Sequence, residues 1–282
     1  MATATCAYVI NDAMMKIATE GLPPYQVLVL RGLWATAWGL PLVLALGHGR
    51  RLGMMFERRV VVRNLAELGA ILCYIVALAN MQIADVISIG QITPLIVILG
   101  SAFLLGEPVG GLRLALIAGG FLGALMVAQP TAGGVTFFAV LALGNAVGAA
   151  VRDLVGRKVR PEIPGLVVAL SASVIVLAGA TAAHLLFEEW VAPDGRTLML
   201  LGGSGLFLFI GHFFIFMAYR IGPTHRVAPF FYSFSVWAVI AGVLVFGQIP
   251  NPLALAGIVL VIASGLAVVL LDQRRPRPSP VA

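Results

Sequence analysis

Four ionisable residues interrupt long apolar stretches of this sequence, namely Asp12, Lys16, Arg31 and Glu67. An unpaired ionisable side chain in hydrocarbon costs from about 2.5 to well above 10 kcal/mol, so such a group must face protein or water. Asp12 and Lys16 are four residues apart and therefore share one face of a helix. Together with Arg31 they could form a cluster of net charge +1, which suits an anionic group on a substrate.

Uncharged polar residues in the same apolar stretches are further candidates for substrate contacts. They are Asn11, Tyr74, Gln91, Asn145, His212 and Tyr232. A polar group in lipid needs a partner, so hydrogen bonding between helices is the alternative role for each of them. Phe231, Phe234 and Trp237 have roughly helical spacing and would suit a flat wall for a ring-bearing substrate, although contact with lipid or core is the commoner reason for such aromatics.

The sequence has no catalytic, metal or nucleotide signature. Its four histidines fall on different elements without metal-ligand spacing, and no G-x-x-x-x-G-K loop is present to bind ATP. Cys6 and Cys73 lie in apolar segments without metal or redox spacing, which indicates packing residues. We therefore expect no enzyme activity, no cofactor and no metal site.

The composition indicates what surrounds these polar residues. Of the 282 residues, 60% are hydrophobic and only 11% are charged, and the mean hydropathy is +1.02. Soluble domains carry roughly 25% charged residues, whereas a fold in lipid needs no polar cover. The net charge of +6 lies in short loops rather than on a basic face interleaved with aromatics, so we expect no nucleic-acid partner.

Ten stretches are long and apolar enough to cross a bilayer, since a spanning helix needs about 20 mostly apolar residues. We predict an all-α integral membrane protein with spans at approximately 2–20, 25–46, 62–81, 86–105, 112–129, 135–152, 165–187, 197–218, 226–246 and 252–271. The first stretch lacks the basic n-region of a signal peptide, so we expect it to be retained. Residues 273–282 are predicted to be a disordered cytoplasmic tail.

The basic residues predict the orientation of these spans. With a cytoplasmic N-terminus, fourteen of the 18 Lys and Arg residues lie in inner loops and helix ends, and only Arg196 lies in an outer loop. We therefore expect both termini in the cytoplasm of a cell. Five spans in each half, 1–131 and 132–272, would give the halves opposite orientations, as in the inverted repeats of many secondary transporters.

Several of these features resemble the EamA-type family of the drug/metabolite transporter superfamily. Pro24 followed by Arg31 is similar to the family's arginine early in its second helix. Pro94 followed by Gly106-Glu107 resembles the signature at its fourth helix. The second half departs from the pattern, with Ser235 in place of the mid-helix proline and Gln248 in place of the glutamate.

This resemblance implies a ten-helix metabolite carrier that works by alternating access. Helices 1, 3, 4, 6, 8 and 9 would line its central cavity, and helix 2 would lie behind it. We therefore favour a structural role for Arg31. The residues that we predict to contact substrate are Asn11, Asp12, Lys16, Tyr74, Gln91, Asn145, His212, Tyr232 and Trp237.

Glu67 lies four residues after Arg63, near the inner end of the third predicted span. This spacing predicts an ion pair that reaches toward the membrane surface and has a structural role. The alternative is a carboxylate that couples transport to protons.

The main alternative to a carrier is an integral-membrane enzyme that acts on a lipid or isoprenoid. Such an enzyme would need clustered Asp, Glu or His at a membrane face, and the inner loops carry basic residues with isolated acids instead. As substrate we expect an amino acid, a nucleoside-like solute, a vitamin or a related organic solute. Gly119-Gly120 and Gly123 allow close helix contact, either inside a monomer or in a homodimer.

Overall fold

Helices make up all the regular secondary structure in the described parts of the chain, which are residues 1–81, 83–105, 110–128, 137–247 and 251–273 of a computed structural model. They are α1 (Ala2–Ala18), α2 (Pro24–Ala45), α3 (Arg58–Asn80), α4 (Ile83–Gly90), α5 (Thr93–Leu105), α6 (Gly111–Ala128), α7 (Phe137–Gly156), α8 (Gly165–Phe187), α9 (Gly195–Ile221), α10 (Thr224–Val227), α11 (Ser233–Phe246) and α12 (Pro252–Gln273), with 3-10 helices at Gly49–Phe56 and Ala228–Tyr232. The predicted Gly106-Glu107 motif, Gln248 and the tail from residue 274 lie outside the described residues.

Five of the described helices are long and apolar enough to cross a membrane, namely α2, α3, α7, α8 and α9. Shorter apolar helical segments lie at Leu114–Gly123, Phe230–Phe246 and Leu255–Ser264. Large apolar side chains project from the outside of the bundle, such as Phe103 at 87% exposed and Leu185 at 76% exposed. Such a surface is suited to lipid rather than water, as the composition predicts.

Local sequence signals explain where several helices begin. Glu57 accepts hydrogen bonds from the backbone N–H groups of Arg59 and Val60 and so caps α3. Asp194 accepts from the N–H of Thr197 at 2.8 Å and caps α9 in the same way. A side-chain oxygen in this position satisfies N–H groups that have no partner within the helix.

Two predicted spans are each divided into shorter helices. The span at 86–105 consists of α4 and α5, which are separated by a turn at Gln91 and Ile92. Pro94 follows this turn and has no N–H to continue the α-helical hydrogen bonds, so the break is expected there. The span at 226–246 is divided likewise, because a 3-10 helix containing Pro229 precedes α11.

The long helices pack in a few extensive pairs. Helix α3 packs on α7, α1 on α9, α2 on both α8 and α9, and α6 on α12. Two glycines permit close approach in two of these pairs. A Cβ added at Gly205 of α9 would lie 2.7 Å from the backbone nitrogen of Ala35, and one at Gly148 of α7 would lie 2.8 Å from the Cβ of Ala70. These contacts bring polar residues of α1, α3, α7 and α9 together in the middle of the bundle.

Candidate functional site

A cavity lies between α1, α3, α7 and α9, with α2, α4, α5 and the segment around α11 also contributing to its wall. The space not filled by atoms is about 620 Å³, part of it open at the mouth. Its lining residues are Tyr8, Asn11, Asp12, Arg31, Glu67, Ile71, Tyr74, Val86, Ile87, Gly90, Thr93, Asn145, Ala149, Arg152, Leu208, Phe231 and Phe234.

Asp12 is the centre of the first polar group in this cavity. The Asn11 side-chain amide donates to its Oδ1 at 2.8 Å, and the Tyr74 hydroxyl donates to its Oδ2 at 2.9 Å. Ser204 in turn donates to Asn11 Oδ1 at 2.8 Å. Because both carboxylate oxygens accept hydrogen bonds, this arrangement fits the ionised form of Asp12. The group joins α1, α3 and α9, and it brings together three of the predicted substrate contacts.

Arg31 lines the cavity from α2, which corrects the expectation that this helix lies behind it. The residue is 1% exposed. Its Nη1 donates to the Met15 sulfur at 3.1 Å, and its Nε has no hydrogen-bond partner among the described residues. A thioether is only a weak acceptor. The guanidinium therefore has hydrogen-bonding capacity left for a group inside the cavity.

Lys16 does not join Asp12 and Arg31, so the predicted three-residue cluster is wrong. The Lys16 ammonium donates to the carbonyl oxygens of Leu78 at 2.6 Å and Met81 at 3.0 Å, at the C-terminal end of α3. The last carbonyls of a helix lack intrahelical partners and carry partial negative charge, which attracts a cation. Lys16 thus fastens α1 to the end of α3, away from the cavity.

Glu67 is the centre of a second polar group. Arg152 Nη1 donates to Glu67 Oε2 at 2.7 Å, and His212 Nε2 lies 3.1 Å from Glu67 Oε1. Arg152 Nε also donates to Asp153 Oδ1 at 2.7 Å. These contacts connect α3, α7 and α9, and all four side chains are buried.

The predicted pair between Glu67 and Arg63 is also wrong. Arg63 donates to Asn64 Oδ1 at 2.7 Å, and its guanidinium lies over the Phe216 ring, 5.7 Å from the centroid. Although Arg63 and Glu67 have the right spacing within α3, the end of α7 packs against this helix and brings Arg152 to the carboxylate instead. Glu67 consequently faces the cavity rather than the membrane surface.

His212 lies behind the cavity wall rather than in it. Its ring meets that of Tyr8 edge-on, with the centroids 5.6 Å apart, and Tyr8 lines the cavity. Its Nδ1 lies 3.1 Å from the carbonyl oxygen of Leu208. The structure therefore places His212 on Glu67 rather than on the cavity surface.

The other predicted contacts divide between cavity and core. Asn145 lines the cavity, whereas Tyr232 donates to the Ile117 carbonyl at 3.0 Å and packs on α6. Trp237 packs against the apolar core, and its Nε1 has no partner among the described residues. Gln91 is fully buried, and neither end of its amide has a hydrogen-bond partner among those residues. None of these last three is among the lining residues of the cavity.

Two of the three predicted aromatic wall residues line the cavity. Phe231 and Phe234 have their ring centroids 5.9 Å apart with the planes tilted by 55°. The third, Trp237, lies further along α11, in the core. Two aromatic rings, rather than the predicted three, therefore line the cavity.

The sequence interpretation missed Tyr8 and Arg152 as cavity residues. The predicted span at 135–152 places Arg152 at the inner end of its helix. The helix continues to Gly156, one turn further. Adjacent opposite charges at Arg152-Asp153 in the last turns of an apolar stretch are the signal for such a buried pair. Tyr8 has no such signal, because a tyrosine in an apolar helix is equally suited to the membrane interface.

The arrangement is suited to binding rather than to catalysis. The cavity combines the carboxyl groups of Asp12 and Glu67, an arginine with spare donors and two aromatic rings, which can orient a polar organic molecule. Among the described residues, no group of three or more His, Cys, Asp or Glu side chains is placed to hold a metal ion.

Comparison with known proteins gives matches along nearly the whole chain. The profile described as the EamA-like transporter family matches residues 1–129 and again residues 136–270. The riboflavin transporter of Rhizobium johnstonii is 29% identical over 253 residues, which cover 85% of this chain and 81% of the relative. The pseudopaline exporter CntI of Pseudomonas aeruginosa is 28% identical, covering 94% of this chain and 92% of its own.

Two further matches extend this comparison. The S-adenosylmethionine uptake transporter of Rickettsia prowazekii is 23% identical, covering 94% of this chain and 89% of its own. A solved crystal structure that is 21% identical superposes with a TM-score of 0.82 over 96% of both chains, so the two share a fold.

Proposed function

Because the chain belongs to the EamA-like transporter family, we propose that it is a secondary carrier that moves a small organic metabolite across the cytoplasmic membrane. The observation that carries this proposal is the central cavity, where Asp12 and Arg31 face the same space from α1 and α2. Buried charges in a membrane protein are costly, and their usual place is on a substrate or ion pathway. The relatives are named as transporters of three different small molecules.

The proposed topology has ten spans in two inverted halves, 1–131 and 132–272, with both termini in the cytoplasm. Two observations support it. The family profile matches the chain twice in succession. The packing is also symmetric. If each helix is replaced by its counterpart in the other half, the contact of α3 with α7 becomes that of α9 with α1. The contact of α2 with α9 likewise becomes that of α8 with α3.

Alternating access around the cavity is the proposed mechanism. The two polar groups combine residues from both halves, with Asp12, Tyr74 and Glu67 in the first and Arg152, Ser204 and His212 in the second. A rocking of one half against the other would therefore rearrange the site itself. The interrupted helices, α4–α5 and the segment before α11, occupy corresponding places in the two halves, as in many carriers built from inverted repeats.

For the substrate we propose an organic solute that carries a carboxylate or phosphate. Arg31 would bind the anionic group, because its Nε and its weakly bonded Nη1 can both donate. Phe231 and Phe234 would contact an apolar or ring-bearing part of the same molecule.

The experiment is a thermal-shift screen of the purified protein, followed by flux measurements in proteoliposomes. The panel includes riboflavin, S-adenosylmethionine, amino acids, nucleosides and their phosphate esters. We expect at least one compound to raise the melting temperature and to cross the membrane only in vesicles that contain the protein. Absence of protein-dependent flux for every stabilising compound would contradict the carrier function.

A further inference from the structure

Both ring nitrogens of His212 lie beside oxygen atoms that accept hydrogen bonds. Its Nδ1 is 3.1 Å from the carbonyl oxygen of Leu208, and its Nε2 is 3.1 Å from Glu67 Oε1. A carbonyl has no proton to donate, so Nδ1 must carry its hydrogen. The contact between Nε2 and Oε1 then needs a second proton, because two bare acceptors at this distance repel each other. The geometry of His212 and Glu67 therefore provides a site for one proton.

The charged groups around the pair determine the net charge of the site with and without that proton. Arg63 on α3 and Arg152 on α7 interact with the pair, and Asp153 binds Arg152. The Tyr8 hydroxyl on α1 and Arg31 on α2 interact with Glu67. Two arginines and one aspartate contribute +1. The protonated pair of His212 and Glu67 has no net charge, whereas the pair without its proton has a net charge of −1.

Arg31 and Asp12, the remaining charges of the cavity, cancel each other. The whole site therefore has a net charge of +1 with the proton and zero without it.

We infer that His212 and Glu67 form a proton-binding site that opens to the cavity through Glu67 and sets the charge of the cavity. This inference rests on the proposed function and deepens it, since it identifies the coupled ion. An uncompensated charge in the membrane is expensive. The protonated cavity, with its net charge of +1, therefore favours an anionic solute. One proton would thus cross with each molecule of a singly charged anion.

The chain contains a matched control for this site. His184 also pairs with a glutamate, because its Nδ1 lies 3.0 Å from Glu188 Oε2. That pair lies at the C-terminal end of α8 and does not line the cavity. Substitution of His184 therefore removes a histidine–glutamate contact without changing the charges around Glu67.

The test is a rapid pH jump applied to proteoliposomes without substrate on a solid-supported membrane, with the current as readout. A proton that enters a site within the membrane displaces charge and gives a transient current. We expect this transient in the wild-type protein and in His184→Gln, and its loss in both Glu67→Gln and His212→Gln. A transient that survives either of these substitutions, or its absence from the wild type, would overturn the assignment.

A second measurement uses only the wild-type protein and so does not depend on whether the substituted proteins fold. In wild-type protein labelled with 15N-histidine, the His212 ring should keep a protonated Nδ1 across the transition, while the signal of its Nε2 shifts with pH. An Nδ1 that loses its proton would also overturn the assignment. Neither measurement uses a substrate. A proton transient without flux of any solute would contradict only the proposed carrier function, and flux without the transient would contradict only the proton site.

Discussion

Glu67 on α3 and Arg152 on α7 form a buried ion pair, with Arg152 Nη1 2.7 Å from Glu67 Oε2. The two residues are 85 positions apart in the chain and belong to different halves of the proposed repeat. Both line the cavity. The pair therefore connects the stability of the helix bundle directly to the geometry of the site.

Glu67→Gln and Arg152→Gln should each destabilise the protein, because removing one partner leaves an uncompensated charge in the bundle. Breaking a buried pair typically costs about 3–5 kcal/mol. The double variant should lose clearly less than the sum of the single losses, since neither charge is then left without the other. Melting in detergent of the four proteins measures this coupling. Strictly additive losses would show that the two side chains do not interact.

Lys16→Met should lower the stability of the protein without removing transport. The substitution leaves the carbonyls of Leu78 and Met81 without their donor, and a hydrogen bond to a charged group contributes about 1.5–3 kcal/mol. Melting temperature and solute flux are measured on the same preparation. Loss of flux with an unchanged melting temperature would instead support contact between Lys16 and the substrate.

Gly205→Ala should be strongly destabilising, because its new Cβ would lie 2.7 Å from the backbone nitrogen of Ala35 and 2.9 Å from the carbonyl oxygen of Arg31. Neither backbone atom can rotate away, so α2 and α9 must move apart. Gly69→Ala is the matched control within α3, since nothing lies within 4 Å of its added Cβ. Alanine is favoured over glycine in a helix by about 1 kcal/mol, so this control should be neutral or more stable. Equal melting temperatures for the two variants would contradict the packing of α2 on α9.

Glu188→Ala should lower stability by about 1 kcal/mol, because Glu188 caps the beginning of α2. Its Oε1 and Oε2 accept from the N–H groups of Tyr25 at 2.8 Å and Gln26 at 3.0 Å. Glu189→Ala is the control, since this neighbouring carboxylate is exposed. The difference in melting temperature between the two variants reports the cap together with the contact of Glu188 Oε2 with His184 Nδ1. If Glu189→Ala were the more destabilising of the two, the assignment of Glu188 as the cap would be wrong.

Much of the helical architecture can be predicted from the sequence, because hydropathy and turn residues are local properties. The break before Pro94 follows from the missing N–H of proline, and the helix starts at Glu57 and Asp194 follow from side chains that accept hydrogen bonds. The aromatic spacing likewise predicts Phe231 and Phe234 on one face.

The partners of buried charges could not be predicted in the same way. Spacing within one helix suggested Arg63 for Glu67 and Asp12 for Lys16, yet Arg152 and the end of α3 are the actual partners. Contacts between helices depend on how they pack, which a single sequence does not show. Asn11 and Tyr74 are both hydrogen-bonded to Asp12 in the structure, and the contact of these three residues with substrate stays a prediction.

The most direct test of the central claim is solute flux into proteoliposomes that contain wild-type protein, Arg31→Met or Lys16→Met, with a compound that stabilises the wild type. If the solute binds at Arg31, Arg31→Met should lower flux at least about tenfold, since a hydrogen bond to a charged group is worth about 1.5–3 kcal/mol. Lys16→Met should retain wild-type flux. Equal flux in Arg31→Met and the wild type would contradict a substrate site in this cavity.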